Sequence, residues 1–590
     1  MKKALFVSAV ALLAASCGQE TGHILILPIR EANKEIVLTL DKGEETLYVA
    51  DIRLARAGEE ADYLVPLDLE PFGAAPGDVH FEGIDAAEAW ELITLSDTAP
   101  EVPAEPNRPR YHHTPPYGWM NDANGMFFKD GVYHLYYQYN PFACVWGNMH
   151  WGHSTSTDLV HWEHQPVAIY RDDYGHIFSG SSVVDFDNTA GFGAGAVVAF
   201  YSSHNPKREF VQTQCIAYSL DDGQTFTKYA GNPVLTPFDG IRDFRDPKVF
   251  WYEPDHKWIM IVSADKEMRF YSSRNLREWE FMSGWGEGYG VQPRQFECPD
   301  FFPLTTAEGI TKWVMIVNVN PGCWFGGSAT QYFVGDFDGR TFTCDSPKET
   351  VKWLDWGKDH YATVTFSNTG GRVIAVPWMS NWQYGANVPT RYFRSANAMP
   401  RELGLFRDGK EYYVSVWPVA ESSALAKDSR TLGGLVAEAG KPENVKLFER
   451  TDGAWELDMD ITVPASGKAG WRLTNAAGEG VDMYFDASLQ RFVMDRTQSG
   501  IVDFARQSRP GRAMNYVNDF ALATWAPMKV AGKHSVRILY DLTSFEVFID
   551  GGRVAMTNLV FPNEPYDTLE AFSEKGGFTV DTLTIAALGL

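Results

Sequence analysis

Cysteine is scarce in this 590-residue chain: six in all, at 17, 144, 215, 298, 323 and 344. There is no Cys-x-x-Cys pair and no metal-ligand spacing, which argues against a disulfide framework or a zinc site. The five cysteines after Cys17 read as mostly buried free thiols. Positive charge is also short. Against 51 Lys and Arg stand 76 Asp and Glu, a net charge of −25. Such a surface repels phosphate backbones, so nucleic acid is not an expected partner and a neutral organic substrate fits better. Beyond the first residues no segment has the apolar length of a membrane helix. Aromatics, by contrast, are abundant at 14 %, with 19 Trp. A large all-β core favours them. So does carbohydrate binding, because sugar rings present flat C–H faces that stack on aromatic ones. The length calls for about two to four domains.

The chain opens on Lys2 and Lys3, runs through apolar Ala4 to Ala15, and places small Ala14, Ala15 and Ser16 before Cys17. The apolar run is too short to span a bilayer. Residues 1–16 resemble a bacterial lipoprotein signal peptide, with Ala14 where Leu is usual. The resemblance implies lipidation of Cys17 and a membrane partner held through that N-terminal anchor, at the outer surface or facing the periplasm. An ordinary signal peptide cut near the same place is the alternative.

Residues 18–106 read as a small β-rich domain with short apolar runs at Ile24–Leu27, Ile36–Leu40 and Leu47–Val49. Four prolines between 98 and 109 mark a linker. From 107 to 425 strand-like runs alternate with Gly, Asp and Asn turns, and helical periodicity is hard to find. A degenerate repeat runs through this part. Ser156-Thr-Asp-Leu-Val-His-Trp162 is echoed by Ser273-Arg-Asn-Leu-Arg-Glu-Trp279, and more loosely around Asp221 and Asp338. Such a period, with about four strands per unit, predicts a propeller of roughly five blades. Residues 434–590 lack the echo. Ser535–Tyr540 and Phe545–Ile549 alternate as half-buried strands do, so a separate β-sandwich is expected. The predicted fold class is all-β.

Three acidic positions sit beside residues that would shape their chemistry. Asp122 stands between the amides of Asn121 and Asn124 just before the first strand pair, and amide donors keep a carboxylate ionised, as a nucleophile requires. An Asx-rich turn accounts for the same residues. Asp246 follows Arg245, which could hold it ionised; a surface ion pair is the plainer explanation. Glu297 is flanked by Phe296, Phe301 and Phe302, an apolar setting that would raise its pKa toward that of a general acid.

Taken together with the surrounding blocks, these positions resemble glycoside hydrolase family 32. The blocks are Trp119-Met-Asn-Asp-Ala-Asn-Gly125, Gln138-Tyr-Asn-Pro141, Trp146-Gly-Asn-Met-His-Trp-Gly-His153, Phe178-Ser-Gly-Ser181, Arg245-Asp-Pro247, Glu297-Cys-Pro299 and Trp378-Met-Ser-Asn-Trp382. The resemblance spans about 111–590 and departs at Ala123, where Pro, with its fixed φ, is usual. It implies a five-bladed β-propeller followed by a C-terminal β-sandwich. It also implies a retaining hydrolase of β-D-fructofuranosides, acting on levan, inulin or other fructo-oligosaccharides and on sucrose. Asp122 would be the nucleophile, Glu297 the acid/base and Asp246 the transition-state stabiliser. Asn121, Gln138, Trp146, Phe178, Ser179, Arg245, Tyr361 and Trp378 would line the fructose pocket. No cofactor and no metal is implied; His150 and His153, three residues apart in a strand, read as structural or pocket-rim groups. Exo action is expected because the family's pocket is usually closed at one end. The alternatives are an endo-acting levanase or inulinase, a fructosyltransferase that passes the covalent intermediate to a sugar, and a silent propeller that only binds fructan. An inverting family 43-like propeller would lack the first and sixth blocks.

Overall fold

The computed structural model describes residues 22–102, 104–504 and 520–590. The signal segment and Cys17 lie outside the described residues. The chain divides into two units, 1–101 and 102–590.

In the first unit, Ile24–Ile29 pairs antiparallel with Tyr63–Asp68 and Thr94–Ser96. Ile36–Lys42 pairs with Glu45–Ile52 and Val79–Glu82. Both central strands bury every second residue, as their alternating sequences require. The short helix Ala86–Leu92 starts where the Asp85 carboxylate accepts the N–H groups of Ala87 and Glu88.

The second unit holds five four-stranded antiparallel blades and a sandwich. The innermost strands are Gly118–Lys129, His176–Asp185, Phe244–Tyr252, Phe296–Thr305 and Tyr361–Thr365. Each neighbours the next, and the fifth returns to the first, so the ring is closed. Phe393–Arg394 reaches back from the fifth blade to pair in parallel with Gly118–Trp119. The repeated Ser-x-Asp/Asn turn is one structure used twice, between the third and fourth strands of a blade. Asp158 Oδ1 accepts the N–H of Val160 and His161 while Asp158 N donates to Ser156 Oγ. Asn275 does the same with Arg277, Glu278 and Ser273. Leu159 and Leu276 both take positive φ at the tip.

All five innermost strands share one irregularity. Their pairing slips between Met120 and Ala123, Ile177 and Gly180, Arg245 and Lys248, Glu297 and Asp300, and Tyr361 and Val364. These are β-bulges, and a bulge re-aims the side chains of its strand. Asp122 therefore lies within the first strand, not in a turn ahead of it. Asp246 (φ 64°), Cys298 (φ 42°) and Ala362 (φ 50°) hold left-handed backbone there, a conformation that costs on the order of 1 kcal/mol or more away from glycine.

The sandwich packs the sheet built around Ala454–Val463, Gly532–Asp541 and Phe578–Leu588 against that built around Lys468–Thr474, Gly480–Asp486 and Thr568–Ser573. Two boundaries differ from expectation. The sandwich starts at Ala426, because the polar strand Ala426–Leu432 pairs with Phe578–Leu588; its exposed, weakly patterned sequence gives no strand signal. The proline-rich stretch is bound into the propeller from residue 104 on. Glu105 accepts the N–H groups of Arg391 and Tyr392, and Arg108 bonds Thr114, Pro115 and Pro116. Nor is Ser544–Ile549 half-buried: every residue is buried, because its outer face meets the propeller. There Glu546 accepts from Arg401 (2.6 Å) and contacts His112 (2.7 Å), while Asp541 accepts the N–H groups of Arg110, Tyr111 and His112.

Candidate active site

The bulges aim their side chains at the propeller axis, where a cavity of about 340 Å³ opens. Asp122, Asp246 and Glu297 all line it, from blades one, three and four. Asp122 Oδ1 accepts from Asn121 Nδ2 (2.9 Å), and that amide is oriented by Trp119 Nε1 bonding its oxygen (2.7 Å). Asp122 Oδ2 accepts from Ser179 Oγ (2.7 Å) and the Cys298 thiol (3.4 Å). Asn124 does not reach Asp122; its amide bonds the Ala123 carbonyl and its oxygen takes Gln138 Nε2. Burial raises the Asp122 pKa, the Asn121 and Ser179 donors oppose that rise, and the nearby Glu297 charge adds to it.

Asp246 is almost fully buried and accepts the Cys298 N–H (2.9 Å). Burial lifts its pKa to about 7, against the pull of Arg245. That guanidinium is the main partner of Glu297 instead: Nη2 lies 2.7 Å from Glu297 Oε1, and Nη1 lies 2.7 Å from Asp243. The other Glu297 oxygen accepts a hydrogen bond from the Tyr361 hydroxyl. The setting of Glu297 is thus polar. Phe296 and Phe301 point away into the core of blades three and four. Phe296, adjacent to Glu297, faces the other side of the strand, and the bulge between Glu297 and Asp300 puts Phe301 on that side too, while Phe302 packs into a different cluster with Val314 and Ile316.

Of the other expected pocket residues, Asn121, Gln138, Trp146, Phe178, Ser179, Arg245 and Tyr361 line the cavity. Trp378 does not. It is fully buried behind the wall, 6.0 Å from Trp119 and 5.0 Å from Trp382, and Trp382 takes the lining place. Trp146 is half-exposed at the rim, edge-on to Phe178 and Trp382. His204, Gln212, Asp243, Cys298 and Asn320 also line the cavity. Cys298 and Trp382 lay inside recognised blocks; His204, which stacks on Phe178 at 4.4 Å, carried no sequence signal. His150 and His153 are buried and structural; His153 stacks on Tyr136. Below the carboxylates the axis is plugged. Lys248 Nζ bonds Asp300, the Thr365 carbonyl and the Thr365 hydroxyl, leaving a void of only about 10 Å³ above it.

A propeller whose blind axial pocket holds four carboxylates, three of them on its innermost strands, with aromatic walls, defines a glycoside hydrolase. Two family models match the chain: the glycosyl hydrolases family 32 N-terminal domain over residues 112–418 and the family 32 C-terminal domain over 425–587. The chain belongs to glycoside hydrolase family 32, and it is an enzyme of the fructofuranosidase class. It is 41 % identical over 509 residues to a levanase of Bacillus subtilis, covering 84 % of this chain and 73 % of the levanase. It is 38 % identical over 520 residues to the extracellular exo-inulinase of Aspergillus ficuum, covering 81 % and 93 %. The structure of a Schwanniomyces occidentalis fructofuranosidase complexed with fructose superimposes with a TM-score of 0.73 at 33 % identity, covering 84 % of this chain and all of that one.

Proposed function

We propose that this enzyme releases terminal β-D-fructofuranosyl units from fructans, and from sucrose, with net retention. The observation that carries the reading is that Glu297-Cys298 ties three carboxylates together: Cys298 N–H binds Asp246, its thiol reaches Asp122, and Glu297 precedes it. In the first step protonated Glu297 donates to the glycosidic oxygen while Asp122 attacks the anomeric C2, forming a fructosyl-enzyme. Glu297 then removes a proton from water, which attacks C2 and releases fructose. Asn121 and Ser179 hold the Asp122 oxygens in place, and Asp246 accepts from the fructose hydroxyls. Exo action is supported by the plugged axis, because a pocket closed at depth by Lys248 suits a chain end, and by the exo-inulinase name of a relative. The names of the levanase and exo-inulinase relatives support a fructan substrate.

The test is the product profile on levan, inulin and sucrose, with Asp122→Ala and Glu297→Ala alongside. Free fructose is the expected product, and each variant loses activity by about 10³-fold or more. Oligosaccharides from the outset would show endo action. Undiminished activity in either variant would remove the assignment. We also propose export with a lipid tether, a reading supported by Lys2, Lys3, the apolar run and Cys17. Metabolic labelling with palmitate should mark the wild type and not Cys17→Ser.

A further inference from the structure

Among the described residues, two Trp side chains are about half-exposed: Trp146 at 48 %, on the pocket rim, and Trp324 at 46 %. The second has no place in the site described above. Trp324 is not a lone exposed ring: it clusters with Trp353, Trp356 and Trp525, and exposed apolar side chains that cluster mark a contact surface. Trp324 stands in the loop joining Thr311–Val319 to Ala329–Phe337, four residues after Asn320, which lines the pocket. Four residues span at most about 14 Å, so the indole lies within reach of a chain whose end occupies the pocket. Its ring meets Trp525 at 5.3 Å with a 36° tilt and Trp356 at 5.4 Å. Trp525 belongs to Ala523–Pro527, an edge strand of the sandwich, and the Arg491 guanidinium sits 5.5 Å from its ring.

The loop is held rigidly. Gly322 and Cys323 donate to the Gly327 carbonyl. Lys358 Nζ joins the Phe325 carbonyl (2.5 Å) to Gln383 Oε1 (2.6 Å), and Gln383 adjoins the pocket residue Trp382. The loop therefore ties the pocket residues Asn320 and Trp382 to an aromatic cluster built from blade four and the sandwich. Clusters of this kind, pre-organised and edged with donors, suit sugar rings, which offer C–H faces to the indole and hydroxyls to its polar border.

We propose that Trp324 and Trp525 form a second carbohydrate platform that holds the distal units of a fructan whose terminal unit lies in the pocket. The proposal rests on the fructan reading above. Trp324→Ala and Trp525→Ala should raise KM for long-chain levan or inulin by about fivefold. Sucrose kinetics and kcat should stay unchanged, and Trp324→Phe should keep most of the polymer affinity. A separate readout is retardation in levan-containing native gels, with both Trp substitutions placed on Glu297→Ala so that polymer is not consumed. Loss of retardation supports the platform even if the wild type fails to release fructose, which would sink only the wider reading. Unchanged retardation and polymer KM would overturn it. So would a parallel fall on sucrose and polymer, or a drop in oligomeric mass on substitution, which would make the cluster a contact between copies of the chain.

Discussion

Arg245 precedes Asp246 in the chain, yet its guanidinium serves Glu297: Nη2 lies 2.7 Å from Glu297 Oε1, while Nε is 3.8 Å from Asp246. The same group spans Asp243 with Nη1. A planar fork can hold two carboxylates at fixed angles, which a single ammonium cannot. Arg245→Lys should therefore lower kcat/KM for sucrose by about 10- to 100-fold, the worth of one or two charged hydrogen bonds. Steady-state kinetics check this; a change under twofold would show that Arg245 does not position the acid/base.

Ser179 reports on the ionisation of Asp122. Burial already raises that carboxyl, and the Ser179 hydroxyl opposes the rise. Ser179→Ala removes a donor to the ionised form, so the pKa climbs further. A nucleophile must be ionised, so the acidic limb of the kcat/KM profile should move to higher pH, with an alkaline limb that stays in place. A profile displaced on neither limb would count against Asp122 as the titrating nucleophile.

How far the site was legible depends on the kind of residue. The propeller was readable because Ser156–Asp158 and Ser273–Asn275 are local turns, built from residues two apart, and local bonding leaves a local signature. The carboxylates were readable because they stand in dense blocks. Their partners were not. The bulges at Asp246 and Cys298 break the two-residue alternation at the point where it would say which way a side chain faces. The sequence thus places Phe296 in the setting of Glu297, whereas it lies in the core, and places Trp378 in the wall that Trp382 provides. Glu546 was hidden for another reason. A strand covered by a second domain buries its polar face, and only the partners Arg401 and His112, more than 140 residues away, explain it.

Asp246 should trade stability for activity. Burial holds its pKa near 7 in the fold, against 3.8 for the ordinary side chain. Between those values the native state binds more protons than the unfolded chain, so stability falls as pH rises through that window and stays lower above it. Asp246→Asn removes this term. The variant should melt at a higher temperature than the wild type at pH 8, and the gap should close toward pH 4. Fructose release should fall by about 10²- to 10³-fold, as when one preorganised group facing the developing charge is lost. Calorimetry at both pH values decides; a variant that melts lower at pH 8 would contradict the burial account.

The propeller–sandwich boundary should carry its own pH dependence. Burial opposes protonation of His112, but Asp541 and Glu546 on its two ring nitrogens outweigh burial and raise its pKa to about 9 from 6.5. A raised histidine contributes stability that is complete below the unfolded pKa and is lost as pH climbs through the folded one. The melting temperature should accordingly fall between pH 6.5 and about 9, and His112→Gln should be lower to begin with and flat across that window. Arg401 tests the same boundary without titration. It is 1 % exposed and joins Asp355 of the propeller to Glu546 of the sandwich at 2.8 and 2.6 Å. Arg401→Met would leave Asp355 buried without its guanidinium and Glu546 with His112 alone, at a cost of roughly 3–5 kcal/mol. Because Asp355 also bonds Thr557 of the sandwich, the loss loosens both sides at once. Urea unfolding followed by tryptophan fluorescence should show one earlier transition in the variant; a midpoint equal to that of the wild type would mean that the Arg401 bridge contributes nothing to holding propeller and sandwich together.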